Sequence, residues 1–77
     1  MNKTRAKKIA KFDDKLVTMI DELQSILEAE QDYYENLSEK AQEGEKGQNS
    51  YEAISSLEEA ISSLESARDN LGNIEIA

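Results

Sequence analysis

The chain contains no cysteine, no histidine, no proline and no tryptophan among its 77 residues. Without cysteine and histidine it lacks disulfides, thiol nucleophiles, imidazole bases and zinc sites of the usual kind. No uninterrupted apolar run approaches the roughly 18 residues that a membrane-spanning helix needs. The lack of proline and tryptophan suits a helical or coiled-coil chain. We therefore expect a helical protein that acts by binding, with no enzymatic activity, no cofactor and no metal site.

Charge is distributed unevenly along the chain, whose formal net charge is -8. Residues 1–15 carry six basic and two acidic side chains, whereas residues 16–77 carry three basic and fifteen acidic ones. An acidic body argues against general nucleic-acid binding, because phosphates are repelled over most of its surface. The basic segment suits anions, or the acidic flank of another copy of the chain.

The clearest pattern is a seven-residue repeat between Glu52 and Gly72, where EAISSLE occurs twice and SARDNLG follows as a degenerate third copy. On a helix, such a repeat gathers apolar side chains into one stripe that a partner helix covers. The stripe consists of Ile54, Leu57, Ile61, Leu64 and Leu71. The alanines beside it allow the partner helix to approach closely.

Arg68 stands in the third copy of the repeat, where an isoleucine is due. In one interpretation, its aliphatic stem packs on the stripe and its guanidinium reaches solvent. In the other, the guanidinium is buried against a specific carboxylate and fixes the register of the two helices. We favour the first, because arginine stems commonly pack in this way.

A second apolar stripe precedes the repeat, with steps of three and four residues and one lapse at Glu30. It consists of Ile9, Phe12, Leu16, Met19, Leu23, Ile26, Tyr33 and Leu37, and a neighbouring row of Ile20, Leu27, Tyr34 and Ala41 widens it. No glycine interrupts this run before Gly44. The pattern predicts one long helix over residues 4–42, with Thr4 as its N-cap.

The segment 43–49 (EGEKGQN) contains two glycines among polar residues and is predicted to be a loop. Asn49 and Glu52 are spaced as in a capping box, so a second helix is expected over residues 50–71, followed by a tail over residues 72–77. A short connection between two amphipathic helices favours antiparallel packing. The whole chain is thus predicted to be a single all-α domain, an antiparallel two-helix hairpin.

The second helix is predicted to be the shorter one, about 33 Å long against about 58 Å. It would end near Ile20 or Leu23, so the basic start of the long helix would project beyond it and expose apolar side chains to water. Covering those side chains requires association, most simply a homodimer that forms a four-helix bundle. The residues expected at this oligomer interface are Ile9, Phe12, Leu16, Met19, Ile20 and Leu27.

The basic segment is the candidate ligand site. Its cationic side chains lie about one turn apart at a helix N-terminus, whose free N–H groups also favour phosphate or carboxylate. The alternative is a solvated basic face that pairs with acids of a neighbouring chain. The tyrosines near the predicted loop would either seal the core or offer an aromatic platform to a ligand. The expected ligand-binding residues are Arg5, Lys8, Lys11, Phe12, Lys15, Tyr33 and Tyr34.

Glu30 is the one carboxylate within the apolar stripe, and catalysis by a general acid depends on such a buried position. We expect it instead to lie at the edge of the core and to form an ion pair with a lysine, or with Arg68 of another chain. An enzymatic role is therefore not expected.

The segment from Glu28 to Ala67 resembles a group of small helical-hairpin proteins that Gram-positive bacteria and their phages and prophages encode. The resemblance rests on the pattern E-Q-x-x-Y-x-N-L at Glu30–Leu37, on the turn at Gln42–Gly47, and on the acid-rich helical repeat that follows. In that group a proline often follows the asparagine, where this chain has Leu37. The resemblance implies a phage or mobile-element context and no known activity.

Three functions are considered for a self-associating chain in the cytoplasm of a bacterial host. The first, which we expect, is a phage-type protein that counters a host system by sequestering an anionic, nucleotide-like ligand in pockets between helices. The second is an acidic protein that docks on a basic, nucleic-acid-binding host protein through Glu58, Glu59, Glu65 and Asp69. The third is a purely structural assembly factor without a ligand.

Overall fold

The computed structural model describes residues 1–74 and is all-helical over that range. It contains three helices there, α1 (Lys3–Glu35), α2 (Glu39–Glu43) and α3 (Glu45–Gly72). The all-α class predicted from the sequence is confirmed, whereas the prediction of two helices is wrong. The end of the predicted tail, residues 75–77, lies outside the described residues.

The bounds of α1 differ from the prediction mainly at its end, which comes at Glu35 instead of residue 42. Its N-cap is Asn2 rather than Thr4, because the Asn2 side chain accepts a 2.8 Å hydrogen bond from the backbone N–H of Arg5. At the other end Asn36 is the C-cap, and its backbone N–H donates to two carbonyl oxygens of the last turn. Asparagine favours such boundaries because its short side chain competes for backbone hydrogen bonds.

A break at residues 36–38 separates α1 from α2. The Ser38 hydroxyl caps α2 by accepting a 3.2 Å hydrogen bond from the backbone N–H of Ala41. The side-chain amide of Gln42 donates a 2.9 Å hydrogen bond back to the carbonyl oxygen of Tyr34, in the last turn of α1. Both bonds satisfy backbone groups that a helix end leaves without partners, so the chain turns here without a proline or a glycine. The predicted continuous helix over residues 4–42 is wrong for this reason.

Gly44 alone separates α2 from α3, so the predicted loop over residues 43–49 is wrong apart from this one residue. Asn49 was predicted to be the N-cap of the second helix, but it lies inside α3, whose N-cap is Gly44. Gly47 is buried where α2 packs on α3, and a Cβ atom there would collide with the backbone of Gln42. The second glycine of the predicted loop is thus a packing residue inside a helix.

Helices α1 and α3 lie side by side and run in opposite directions along a rod whose Cα atoms extend over 58 × 15 × 12 Å. Asp13, near the start of α1, contacts Arg68, near the end of α3. Tyr33, near the end of α1, shares a groove with Ser50, near the start of α3. These two pairs fix the relative level of the helices along the rod.

The core between α1 and α3 is thin. Its most buried hydrophobic side chains are Leu16, Ile20 and Ile61, which are 4%, 7% and 7% exposed. Half-buried side chains extend this core in both directions, namely Ile9, Leu23, Leu27, Ile54, Leu57 and Leu64. A chain of this length buries little surface, so the core alone gives a marginal stability.

The predicted overhang of α1 is wrong because α1 ends at Glu35 rather than at residue 42, so the chain turns back earlier and α3 lies further toward the start of α1. With 28 residues, α3 reaches Asp13 rather than ending near Ile20 or Leu23. Leu16 is consequently buried and Ile9 half-buried, so neither faces water as predicted. Phe12 is exposed, as the sequence predicted.

Helix α3 ends at Gly72, and Asn73 is its C-cap. The backbone N–H of Asn73 donates to the carbonyl oxygens of Asp69 and Asn70, which closes the last turn. No helix within residues 1–74 has the length and the apolar character that crossing a membrane demands.

Candidate interaction surface

The residues of the predicted ligand site do not meet within one chain. Arg5, Lys8, Lys11 and Lys15 are exposed along the first turns of α1, together with Phe12. Tyr33 and Tyr34 lie in its last turn, 18 residues beyond Lys15, which corresponds to about 27 Å along the helix. One chain does not bring the two groups together, because a straight helix holds its two ends apart. A site that includes both groups needs a second chain.

The two adjacent tyrosines of α1 face different sides of the rod. Tyr33 is 47% exposed and lines a groove with Ala53 and Ser56, whereas Tyr34 is half-buried and lines another groove with Tyr51. Tyr34 thus closes the end of the core, which is the sealing role that the sequence allowed. Tyr33 projects from the surface.

The predicted oligomer interface includes side chains that the chain buries by itself. Leu16 and Ile20 pack against α3, so they are not available to a second copy, and this part of the prediction is wrong. Ile9 and Leu27 are half-buried for the same reason. Phe12 and Met19 are 56% and 48% exposed and remain available.

A row of large exposed side chains follows one side of α1, and we call it the α1 stripe. Its members, each seven residues from the next, are Phe12, Met19, Ile26 and Tyr33, which are 56%, 48%, 53% and 47% exposed. Seven residues are almost two helical turns, so the four side chains form one line about 32 Å long. Helix α3 does not cover this line. Contiguous exposed hydrophobic side chains of this kind mark interaction sites on soluble proteins.

Helix α3 presents small residues on the same side of the rod, and we call them the α3 small row. A groove of about 600 Å³ is lined by Ile26 and Tyr33 of the α1 stripe and by Ala53 and Ser56 of α3. Steps of four and three residues continue this side of α3 to Ala60 and Ser63. None of these four α3 residues carries a charge, although 34% of the chain is charged. The α1 stripe and the α3 small row together form what we call the uncharged face, after these eight side chains; Glu30 also lines the groove between them.

The sequence contains a pattern that identifies this face, but the serines of α3 make that helix surface look like an ordinary solvent-exposed one. Ser56 belongs to a serine pair of the repeat and is exposed, and it borders the groove beside Ile26. The signal that identifies the face is the strict seven-residue spacing of four large side chains, in contrast to the alternating three and four of the buried positions.

The predicted acidic face is smaller than expected. Glu58, Glu65 and Asp69 are exposed and are separated by seven and four residues, so they share one side of α3. Glu59 follows Glu58 directly and therefore points about 100° away around the helix. Glu58 follows Ser56 by two residues, which is about 200° around the helix. The three aligned carboxylates therefore lie on the side of α3 away from Ser56.

Arg68 and Asp13 form the one ion pair among residues 1–74. The Arg68 Nε donates to Asp13 Oδ1 at 2.9 Å and a terminal nitrogen donates to Asp13 Oδ2 at 3.2 Å. The side chains remain 43% and 32% exposed. The bidentate hydrogen bond from Arg68 holds the pKa of Asp13 below its ordinary value of 3.8, and Asp13 raises the pKa of Arg68. Each of the two interpretations of Arg68 is thus half correct, since the guanidinium is solvated and also has a specific carboxylate.

Glu30 lines a groove of about 370 Å³ with Tyr33, Lys46, Asn49 and Ser50. It is half-buried, at the edge of the core as predicted, but among the described residues it forms no ion pair with a lysine. The Ser50 hydroxyl is buried beneath this groove without a hydrogen-bond partner. Within residues 1–74 no three metal-ligating side chains come together.

Comparison with known proteins adds no information about this surface. No protein-family model matches the chain, and no curated protein or solved structure is significantly similar to it. Function is therefore argued from the geometry alone.

Proposed function

We propose that this chain is a non-catalytic helical-hairpin protein that works by association, and that two copies pair through the uncharged face to form a four-helix bundle. The observation that carries the proposal is the α1 stripe, in which four large side chains at seven-residue spacing are about half exposed. Such a seam is the pattern that a partner helix covers in a coiled coil.

The size of the core supports the same conclusion. Only three hydrophobic side chains among the described residues are buried, and none of them completely, so the rod holds itself together weakly. Packing the uncharged face of one rod on that of another would bury the α1 stripe in a second, larger core. A second copy is a suitable occupant because homo-oligomers with a twofold axis are the commonest assemblies.

Sequestration of a nucleotide is favoured less by the geometry. The cations of the basic segment and the tyrosines lie about 27 Å apart in one chain. An anion pocket would therefore have to be assembled from two chains, and that assembly is itself the proposal made above.

The mass of the protein in solution tests the association. We expect sedimentation or light scattering to give twice the chain mass of 8.7 kDa at micromolar concentration. Ile26→Lys should give a single-chain mass, because a charge in the middle of the α1 stripe would be buried by the partner. Gln24→Lys is the matched control, since Gln24 is exposed on another side of α1. A wild-type protein with the mass of one chain would refute the proposal.

A second candidate function uses the acidic side of α3. Glu58, Glu65 and Asp69 are exposed, lack ion-pair partners among residues 1–74 and lie away from the α3 small row. A bundle would thus leave them free to dock on a basic surface of a nucleic-acid-binding protein, as the mobile-element resemblance suggests. Binding to a panel of such proteins should weaken steeply with salt and with Glu58→Gln/Glu65→Gln. Glu28→Gln/Glu35→Gln on α1 is the control with the same change of charge, and equal effects of both variants would exclude this docking site.

A further inference from the structure

We propose that the two copies pack antiparallel about a twofold axis that crosses α1 between Glu22 and Leu23, so that the basic start of each α1 lies against the acidic end of the other. This arrangement rests on the proposed function and specifies which parts of the two copies meet. It assigns a partner to the cations of the basic segment, none of which forms an ion pair among residues 1–74.

The positions of the two rows along the rod support this axis. The α1 stripe runs from Phe12 to Tyr33, so its midpoint lies between Glu22 and Leu23. Because Asp13 is level with Arg68 and the helices are antiparallel, this midpoint is level with residues 58–59 of α3. The α3 small row, from Ala53 to Ser63, is centred on Glu58. One twofold axis at this level therefore places each row against the same row of the second copy, as an isologous interface requires.

The match of side chains across the axis follows directly. Phe12 would be level with Tyr33 of the second copy, and Met19 with Ile26 of the second copy. The two α1 helices would thus meet through large side chains, whereas the two α3 helices would meet through alanine and serine. Interhelical distances of about 8–10 Å accommodate both kinds of contact, with small residues at the shorter distance.

Charge selects this orientation over its rival. A twofold axis along the rod would also cover the uncharged face, by packing the α1 stripe on the α3 small row of the second copy. That arrangement places the two basic segments at the same end and the two acidic ends together. The antiparallel arrangement instead makes Lys15, three residues after Phe12, level with Glu30 of the second copy, which lines the groove beside Ile26 and Tyr33. Opposite charges at an interface favour the matched orientation, and like charges oppose the other.

Cross-linking tests the orientation cleanly because the chain has no cysteine of its own. Glu22→Cys lies beside the proposed axis, so a short bis-maleimide should join two copies of this variant in either orientation. An equal mixture of Lys15→Cys and Glu30→Cys, with one variant carrying a tag, should give the mixed dimer as the main product. Lys15→Cys alone should give none, because its two copies would lie about 22 Å apart along the bundle.

The outcomes separate the two proposals. If Glu22→Cys is joined and the mixed dimer forms, both stand. If Glu22→Cys is joined but the mixed dimer does not form, or Lys15→Cys alone is joined as readily, the antiparallel arrangement is overturned and the association stands. If Glu22→Cys is not joined and the protein has the mass of one chain, the association itself fails.

Discussion

Arg68 of α3 donates hydrogen bonds to both carboxylate oxygens of Asp13 on α1, which is 55 residues away in the sequence. Arg68 lies seven residues after the buried Ile61, and Asp13 lies seven residues before the buried Ile20. The ion pair therefore occupies the next position of the apolar stripe on each helix. It sets the level of the two helices relative to each other, because a shift of α3 by one repeat would leave neither partner with an opposite charge.

Stability should depend on pH through Asp13. Its pKa is lowered in the folded chain by the hydrogen bonds from Arg68. A lowered pKa means that the pair stabilises the fold above the unfolded value, near 3.8, and that this contribution is lost as the pH falls through the folded pKa below it. We expect the difference in urea midpoint between wild type and Asp13→Asn to be constant near neutral pH and to vanish below the folded pKa. Asp14→Asn, beside it and without an ion pair, should show a smaller difference, and equal differences would contradict this assignment.

Gly47→Ala should destabilise the chain by about 1–3 kcal/mol, because the added methyl group forces α2 away from α3. Gly72→Ala is the matched control, since nothing lies near the position of its Cβ atom. At Gly72, alanine should be neutral or stabilise by up to about 1 kcal/mol through its higher helix propensity. Urea denaturation at one fixed protein concentration measures both, because association makes stability depend on concentration. A neutral Gly47→Ala would show that α2 does not pack where the structure has it.

Ser50→Ala should stabilise the chain by about 1 kcal/mol. The Ser50 hydroxyl is buried without a hydrogen-bond partner, and such a group carries its full desolvation penalty. Ser55→Ala on the exposed side of the same helix gains helix propensity alone, so it should give a smaller effect. If the two variants gain equally, the Ser50 hydroxyl has a partner, such as water, in solution.

Reversing the basic segment should weaken the dimer. Lys11→Glu/Lys15→Glu turns attraction to the acidic end of the second copy into repulsion at two symmetric places, for an expected loss of about tenfold in affinity at low salt. Lys3→Glu/Lys7→Glu changes the net charge equally on other sides of α1 and should have little effect. The loss should shrink as salt screens the charges. Sedimentation equilibrium at low and high salt gives these dissociation constants, and equal weakening by both variants would speak against the antiparallel contact.

The sequence predicted the helical class because apolar spacing depends on helix geometry alone, but it did not predict which positions of the two helices pair. It did not predict the break at residues 36–38, where Asn36 and Ser38 cap helix ends within a run that stays amphipathic. It also misread Gly47, because a glycine required by close packing has the same appearance in sequence as one that ends a helix.

The interaction surface was predicted only in part. Phe12 and Met19 were placed correctly among exposed side chains, whereas Leu16 and Ile20 were placed at the wrong interface. The error arose from the expected end of the first helix, since a chain that turns back after Glu35 places α3 nearer the start of α1 than one that turns back after residue 42. Periodicity shows which side chains share a face, and the position of the turn decides which of them the partner helix covers.

The two identical EAISSLE units give α3 a translational symmetry that its partner must resolve. Shifted by one unit, about 10.5 Å, α3 would offer α1 the same alanines, isoleucines and leucines. The residues that distinguish the registers lie outside the two identical units: Gly47 precedes them and Arg68 follows them. Changes at these two positions should therefore allow α3 to shift along α1. The length of the rod thus depends on Gly47 and Arg68, which add no hydrophobic side chain to its core.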